Sequence, residues 1–369
     1  MNVPMLDLKE QYSYLRDEVL ENLDKVMSSS RFILGENVKK IENDIADYSN
    51  VARGVGVANG SDALHIALQA CGVKQNDEVI TTPFTFFATA GAIARAGAKP
   101  VFVDIDPKTF NIDPSKIEEA ITENTKAILP VHLYGQTSDM DPIKEIAEKH
   151  SLHVVEDAAQ AIGAKYKGKM VGELGDAACY SFFPTKNLGA YGDAGMIVTD
   201  SEELADSMSV IRVHGSKPKY YHHVLGYNSR LDEMQAAILN VKFKHIDSWI
   251  EKRRQLARNY TELVSELNLD IVTPEEENDR FHVFHQYTIR TNKRDELQKF
   301  LSDRGVQTMI YYPLPLHIQP VFSDLGYKEG DFPEAEKAAK EAISLPMFPE
   351  LKIEQQEYVV SQIKEFFNQ

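Results

Sequence analysis

The sequence predicts an α/β fold: a large domain on a mostly parallel sheet with helices on both faces, then a smaller α+β domain. Three observations carry this. Seven short, β-branched runs fall within the first 200 residues. Stretches with helical period lie between many of them, and strands that are apolar almost throughout are the mark of a sheet buried on both sides. After about residue 246 the pattern changes to a few strands and helices of another rhythm.

In order, the runs are "GVGVA" at 54–58, "DEVITT" at 77–82, "KPVFVDID" at 99–106, "KAILPVHL" at 126–133, "LHVVEDAA" at 152–159, "DAACYSFF" at 176–183 and "GMIVTD" at 195–200. The helical stretches include "SDALHIALQACGV", "FATAGAIARAGA", "PSKIEEAITENT" and "MDPIKEIAEKHS". A long charged helical region is expected over 229–267. "HVFHQYTIRT" at 282–291 alternates like a strand, "KRDELQKFLSDRGV" runs as a helix into a glycine turn, and 350–367 closes the chain as an amphipathic helix. The expected domains are 1–246 and 247–369.

The bulk composition narrows the function. With 43% hydrophobic and 26% charged residues the chain is that of an ordinary globular protein. Forty basic residues against fifty-six acidic ones give a net charge of −16. No dense basic stripe appears, so neither nucleic acid nor an anionic membrane is an expected partner. The only cysteines, Cys71 and Cys179, form no disulfide framework and no metal signature. The N-terminus lacks an apolar signal region and no run is long enough to span a bilayer. A cytoplasmic protein without a metal site is expected.

In open α/β sheets, ligands bind at the carboxyl ends of strands, often against helix N-termini. Three stretches fall at such places. In "ANGSDALHIAL", Gly60, Ser61 and Asp62 open a helix after a strand, either as a simple cap or as a phosphate cradle. In "HVVEDAAQAIGA", Asp157 and Gln160 follow a buried strand, where a carboxylate needs a partner, either a helix end or a cationic ring nitrogen. In "CYSFFPTKNLGAYGDAG", Lys186 stands among aromatics, prolines and glycines. Apolar surroundings disfavour the ammonium form and free the amine as a nucleophile, the property a Schiff-base lysine needs. Cradle, aspartate and lysine occur in the order that suits pyridoxal 5′-phosphate.

Together, "GSDAL", "PFTFFATA", "VFVDIDP", "VHLYGQ", "VVEDAAQAIGA", "SFFPTKNLGAYGDAG", "YNSRLDEMQAAIL" and "LPLHIQP" resemble the DegT/DnrJ/EryC1/StrS family. These are sugar aminotransferases of the aspartate-aminotransferase fold (fold type I), and the likeness runs from "VPMLDL" to "SLPMFP". The resemblance implies a seven-stranded large-domain sheet and a role for each residue. Lys186 looks like the lysine that bonds the cofactor and shuttles a proton. Asp157 is similar to the partner of the pyridinium nitrogen, and Gln160 to the residue near the phenolic oxygen. Phe86, or its neighbour Phe87, corresponds to the aromatic on the ring. Gly60, Ser61 and Ser181 look like phosphate ligands, with Asp62 beside them. Asn228 resembles a residue that reaches the phosphate from the neighbouring subunit of a homodimer; read alone, it is a helix cap. His317 and the tract carrying Tyr220, Tyr221 and His222 lie where the family contacts substrate. The implied reaction takes an amino group from L-glutamate to a keto nucleotide-sugar, UDP- or dTDP-linked, at C3 rather than C4. A cyclitol aminotransferase using an inosose, and a regulatory or sensor protein of the same fold, are the alternatives.

Overall fold

A computed structural model describes all residues, 1–369. All seven β-branched runs form strands of one sheet: β1 (Arg53–Val57), β2 (Glu78–Thr81), β3 (Lys99–Phe102), β4 (Thr125–Ile128), β5 (His153–Asp157), β6 (Ala177–Ser181) and β7 (Gly195–Thr199). The order across the sheet is β1-β7-β6-β5-β4-β2-β3. The pairs from β6 through β3 are parallel, and β7 runs antiparallel to both neighbours.

The two-residue period of a strand explains why both faces are buried. Ile80, Ile128, Val154 and Val198 enter one core cluster, while Val79, Ala127, Val155 and Ile197 enter another. The first face is covered by α2 (Glu36–Tyr48), α5 (Met140–His150) and α7 (Glu233–Phe243). The second is covered by α3 (Gly60–Ala70), α4 (Ala88–Arg95) and α6 (Glu202–Ile211). Helix α1 (Leu8–Ser29) lies along α7. Glu233 at the start of α7 caps α2 in place of an N-cap side chain. Its carboxylate accepts from Gly35 N (2.9 Å), Asn37 N (2.6 Å), Asn37 Nδ2 (2.8 Å) and Val38 N (3.2 Å).

The helical region after residue 229 divides into α7 and α8 (Ile246–Ser265), and α8 belongs to both halves of the chain. Its Ile246 and Ile250 pack into the sheet's core, whereas Leu256, Ala257, Tyr260 and Val264 pack into the C-terminal core. That second core gathers α9 (Arg294–Asp303), the antiparallel pair β8 (Tyr287–Arg290) and β9 (Ala342–Leu345), and α11 (Ile353–Phe367). Helix α10 (Pro333–Glu341) precedes β9. The N-terminus joins the same part, through a bridge from Val3 to Val306.

Two expectations are corrected here. "PSKIEEAITENT" forms only two short 3-10 turns, Pro114–Lys116 and Glu118–Ala120. Asp113 caps the first turn and the Thr125 hydroxyl accepts from Thr122 N (2.9 Å), so too few residues remain for an amphipathic helix. "HVFHQYTIRT" is a strand only from Tyr287 onward. Its earlier residues turn to the large domain instead, with Val283 N donating to Gly135 O (3.0 Å) and His285 N to Tyr134 O (2.8 Å). No helix is long and apolar enough to cross a membrane.

Candidate active site

At the carboxyl ends of β5 and β6 lies a cavity of about 440 Å³. Its lining includes Gly60, Ser61, Phe86, Asp157, Gln160, Ser181 and Lys186. The three stretches singled out in the sequence, separated by many residues, thus converge on one space.

Asp157 ends β5 and is buried. Parallel pairing continues past the strand to hold its backbone, with Asp157 N donating to Pro130 O (2.9 Å) and His132 N to Asp157 O (3.0 Å). The carboxylate accepts from Thr89 Oγ1 (2.7 Å) and from Ala159 N (3.2 Å). Thr89 is itself tied to Thr85, which lines the cavity. Burial raises the Asp157 pKa; the Thr89 bond, the Ala159 N–H and the Lys186 charge oppose that rise. Behind it, Ser138 N donates to His132 Nδ1 (3.1 Å), so His132 Nε2 carries the proton given to Glu156 (2.9 Å). Glu156 also accepts from Gly172, Leu174 and Gly175 N–H groups. This fully satisfied network fixes the strand end from below.

Lys186 sits on the turn after β6, half-buried, with its N–H donating to Phe183 O (2.9 Å). Burial pushes its amine down from 10.5 to about 8, and only the Asp157 charge works against this. Two titratable groups displaced in opposite directions in one cavity are a physical signature of acid–base chemistry.

The start of α3 closes one end. Asn59 caps the helix by accepting from Asp62 N (2.8 Å), which leaves the N–H groups of Gly60 and Ser61 free of intrahelical partners. The lack of a Cβ at position 60 is a steric requirement: one placed there would stand 2.6 Å from Ser181 Cβ. At position 195 it would meet the Asn59 carbonyl carbon at 2.4 Å. These contacts press the positive helix end against Ser181, the arrangement an anion site uses.

Gln160 is held at both ends, accepting from Tyr134 N (2.7 Å) and donating to Tyr312 OH (3.1 Å). Phe86 stands at the mouth, its ring 6.0 Å from that of Tyr312, while Phe87 is stacked on Phe322 away from the cavity.

Other expected residues lie elsewhere. The Asp62 side chain points away from the cavity and pairs with Arg95 (3.2 Å). His317 is buried outside the cavity wall with Nε2 on Glu336 (3.1 Å), because Glu336 also gathers the Gly330 and Phe332 N–H groups and fixes that turn. Tyr220, Tyr221 and His222 occupy an exposed loop outside the cavity, with Tyr220 79% exposed. Asn228 caps no helix, since α7 begins at Glu233 with Asp232 as its N-cap. Instead it lines an open depression with Arg230 and Gln235, which shares Asn59 and Asp193 with the Lys186 cavity. Sequence reasoning missed the cavity residues Asn59, Thr85, His285, Gln286, Tyr311 and Tyr312.

The profile of the DegT/DnrJ/EryC1/StrS aminotransferase family matches residues 13–364. The chain belongs to this family. Among its relatives, a "Pleiotropic regulatory protein" of Geobacillus stearothermophilus is 71% identical, over 100% of this chain and 99% of that one. The "UDP-N-acetyl-3-dehydro-alpha-D-glucosamine 3-aminotransferase" of Acidithiobacillus ferrooxidans is 48% identical, over 96% of this chain and 95% of its own. The crystal structure of S. venezuelae DesV in complex with a ketimine intermediate superimposes with a TM-score of 0.97 at 42% identity, covering 100% of this chain and 99% of that one. As a member of the family the chain is an aminotransferase whose cofactor is pyridoxal 5′-phosphate. The cavity's own residues suit that group: an anion-accepting helix end, a buried carboxylate and a depressed amine.

Proposed function

We propose that this aminotransferase moves the amino group of L-glutamate to the C3 keto group of a UDP- or dTDP-linked sugar. The observation that carries the catalytic part is Lys186 and Asp157 in one cavity, displaced in opposite directions, opposite a free helix N-terminus. The C3 preference rests on the relatives, whose names include a UDP-linked 3-aminotransferase and a dTDP-3-amino sugar transaminase.

When bound, the cofactor supplies an electron sink. The N–H groups of Gly60 and Ser61, with the Ser181 hydroxyl, would hold its phosphate. Asp157, steered by Thr89 and the Ala159 N–H, would accept from the ring nitrogen and keep it protonated. Gln160 would meet the phenolic oxygen and Phe86 would cover the ring. Lys186 would hold the cofactor, and its amine, when free, would take the proton from the donor's α-carbon.

The reading includes a homodimer in which Asn228 reaches the neighbour's phosphate. Its place in an open depression, outside the Lys186 cavity of its own chain, supports this. The exposed Tyr220, Tyr221 and His222 suit a loop completed by the second subunit. His317 we assign to holding the segment after Tyr311 and Tyr312, through Glu336, and not to sugar contact. The two domains meet along α8, near residue 246. Free, buried Cys71 and Cys179 suit the reducing cytoplasm, where we place the reaction.

A regulatory role is favoured by the Geobacillus relative's name. The half-reaction separates the readings. Protein loaded with pyridoxamine phosphate is mixed with 3-keto and 4-keto UDP- and dTDP-sugars, and recovery of the lysine-bound cofactor's visible absorbance is followed. A 3-keto sugar should restore it. Recovery by 4-keto sugars alone contradicts the C3 assignment, and a protein that responds to neither sugar nor glutamate is no aminotransferase of this kind.

A further inference from the structure

Two buried threonines flank the aromatic pair Phe86 and Phe87, and the reading above gives one of them, Thr85, no role. They stand four residues apart, about one helical turn, where the chain winds into α4 and Thr89 N donates to Phe86 O (3.2 Å). The spacing brings their hydroxyls together at 3.0 Å, and Thr89 Oγ1 lies 2.7 Å from Asp157 Oδ2. The direction of both bonds is fixed from the carboxylate end. A carboxylate only accepts, so the single proton of the Thr89 hydroxyl goes to Asp157. In the contact between the threonines, Thr85 is then the donor. Thr85 bonds Thr89 and not Asp157, and it lines the cavity.

We infer that Thr85, Thr89 and Asp157 form a one-way hydroxyl chain that keeps Asp157 ionised, with the two threonines as positioning residues. The inference rests on the reading of Asp157 as the partner of the cofactor's ring nitrogen, since only the carboxylate can hold a protonated nitrogen there. A hydroxyl that accepts a hydrogen bond donates its own proton more strongly, so Thr85 acts on Asp157 through Thr89. The protein gives each carboxylate oxygen one donor, Thr89 Oγ1 on Oδ2 and Ala159 N on Oδ1. Burial is the largest influence on Asp157 and favours its acid form. Of what opposes it, the Thr89 hydroxyl weighs most, followed by the Ala159 N–H, Lys186 and His132. Cys179 on β6 and Tyr312 in the cavity wall have raised pKa values and stay neutral, and Glu156 is tied to His132 on the other face of β5.

Two measurements test this. In cofactor-free protein labelled with ¹³C at the aspartate carboxyls, the Asp157 signal, assigned by its loss in Asp157→Asn, gives the titration midpoint of the group. Thr89→Val should raise that midpoint by about one pH unit or more, as for loss of one hydrogen bond to a charged group. Thr85→Val should raise it by less, although Thr85 does not touch the carboxylate. The double variant should titrate where Thr89→Val does, because Thr85 acts only through Thr89. Thr89→Ser, which keeps the hydroxyl, should return the midpoint toward the wild type. A midpoint unmoved by Thr89→Val, or a Thr85→Val effect that adds in full to it, overturns the proposal. In the loaded enzyme, single-turnover transfer from glutamate should slow about tenfold in Thr89→Val, with the acid limb of its pH profile moved upward, and recover in Thr89→Ser. An unchanged rate and acid limb in Thr89→Val contradicts the proposal. If the midpoints move as stated while Asp157→Asn transfers as fast as the wild type, the chain stands and the reading of Asp157 as the ring's partner falls. Should Thr89→Val fail to fold, Thr85→Val decides: an unmoved Asp157 midpoint there overturns the chain.

Discussion

Lys186 makes a claim about stability that needs no substrate. In the cofactor-free protein its amine titrates at about 8, against 10.5 for an ordinary lysine. At about 1.4 kcal/mol for each pH unit of displacement, this amounts to about 3 kcal/mol. The folded-state value is the lower one, so between about 8 and 10.5 the unfolded chain binds the extra proton. Stability therefore rises with pH across that window. Below about pH 8 the full cost of a buried ammonium is present; above 10.5 it is gone. Replacing Lys186 by methionine removes the charge and keeps the volume. The variant should be more stable than the wild type by about 3 kcal/mol near neutral pH, with the gap closing as pH rises toward 10.5. Urea unfolding of both cofactor-free proteins across that range measures it, with the slope m compared to confirm that the same surface is exposed. A gap that stays constant with pH, or a variant less stable at neutral pH, would refute the reasoning.

Other consequences follow from single contacts. Asp157→Asn removes the one charge that lifts the Lys186 pKa, so the midpoint for cofactor attachment to the apoprotein should move below about 8; a rise would mean Asp157 does not act on the amine. Gly60→Ala drives a Cβ into Ser181, and should weaken cofactor binding at least about tenfold in equilibrium dialysis and cost about 1–3 kcal/mol. Unchanged affinity and stability there would remove the tight helix end from the account. Glu233→Gln weakens the cap on α2 and should lower the urea midpoint, at a cost of about 1.5–3 kcal/mol, while the bound cofactor's spectrum stays the same.

Much of this was legible in the chain because the large domain is locally specified. Val154 and Val155 face opposite cores, so the strand reads as continuously apolar, and each of the seven runs carries that mark. Lys186 stood out because its neighbours are apolar, and Gly60 because a glycine opens a helix. What the sequence hid is set by contacts far apart along the chain. "HVFHQYTIRT" alternates like a strand, yet Tyr134 and Gly135, some 150 residues away, take its first N–H groups and pull His285 into the cavity wall. Tyr312, far along the chain from Gln160 and Phe86, joins them in the cavity wall. His317 reads as a substrate residue from its neighbours in the chain, whereas the partner of its Nε2, Glu336, comes from another helix. Histidine and tyrosine outside any periodic element were the available signal, and nothing local says which way they turn.

The central claim is that Lys186 is the group that carries the cofactor and moves the proton. The most direct test is turnover of glutamate with a 3-keto nucleotide-sugar by Lys186→Ala beside the wild type, both supplied with excess pyridoxal 5′-phosphate. The account predicts a loss of at least about 10²-fold, together with loss of the lysine-bound cofactor's absorbance. A Lys186→Ala protein that turns over within a few-fold of the wild type would contradict it.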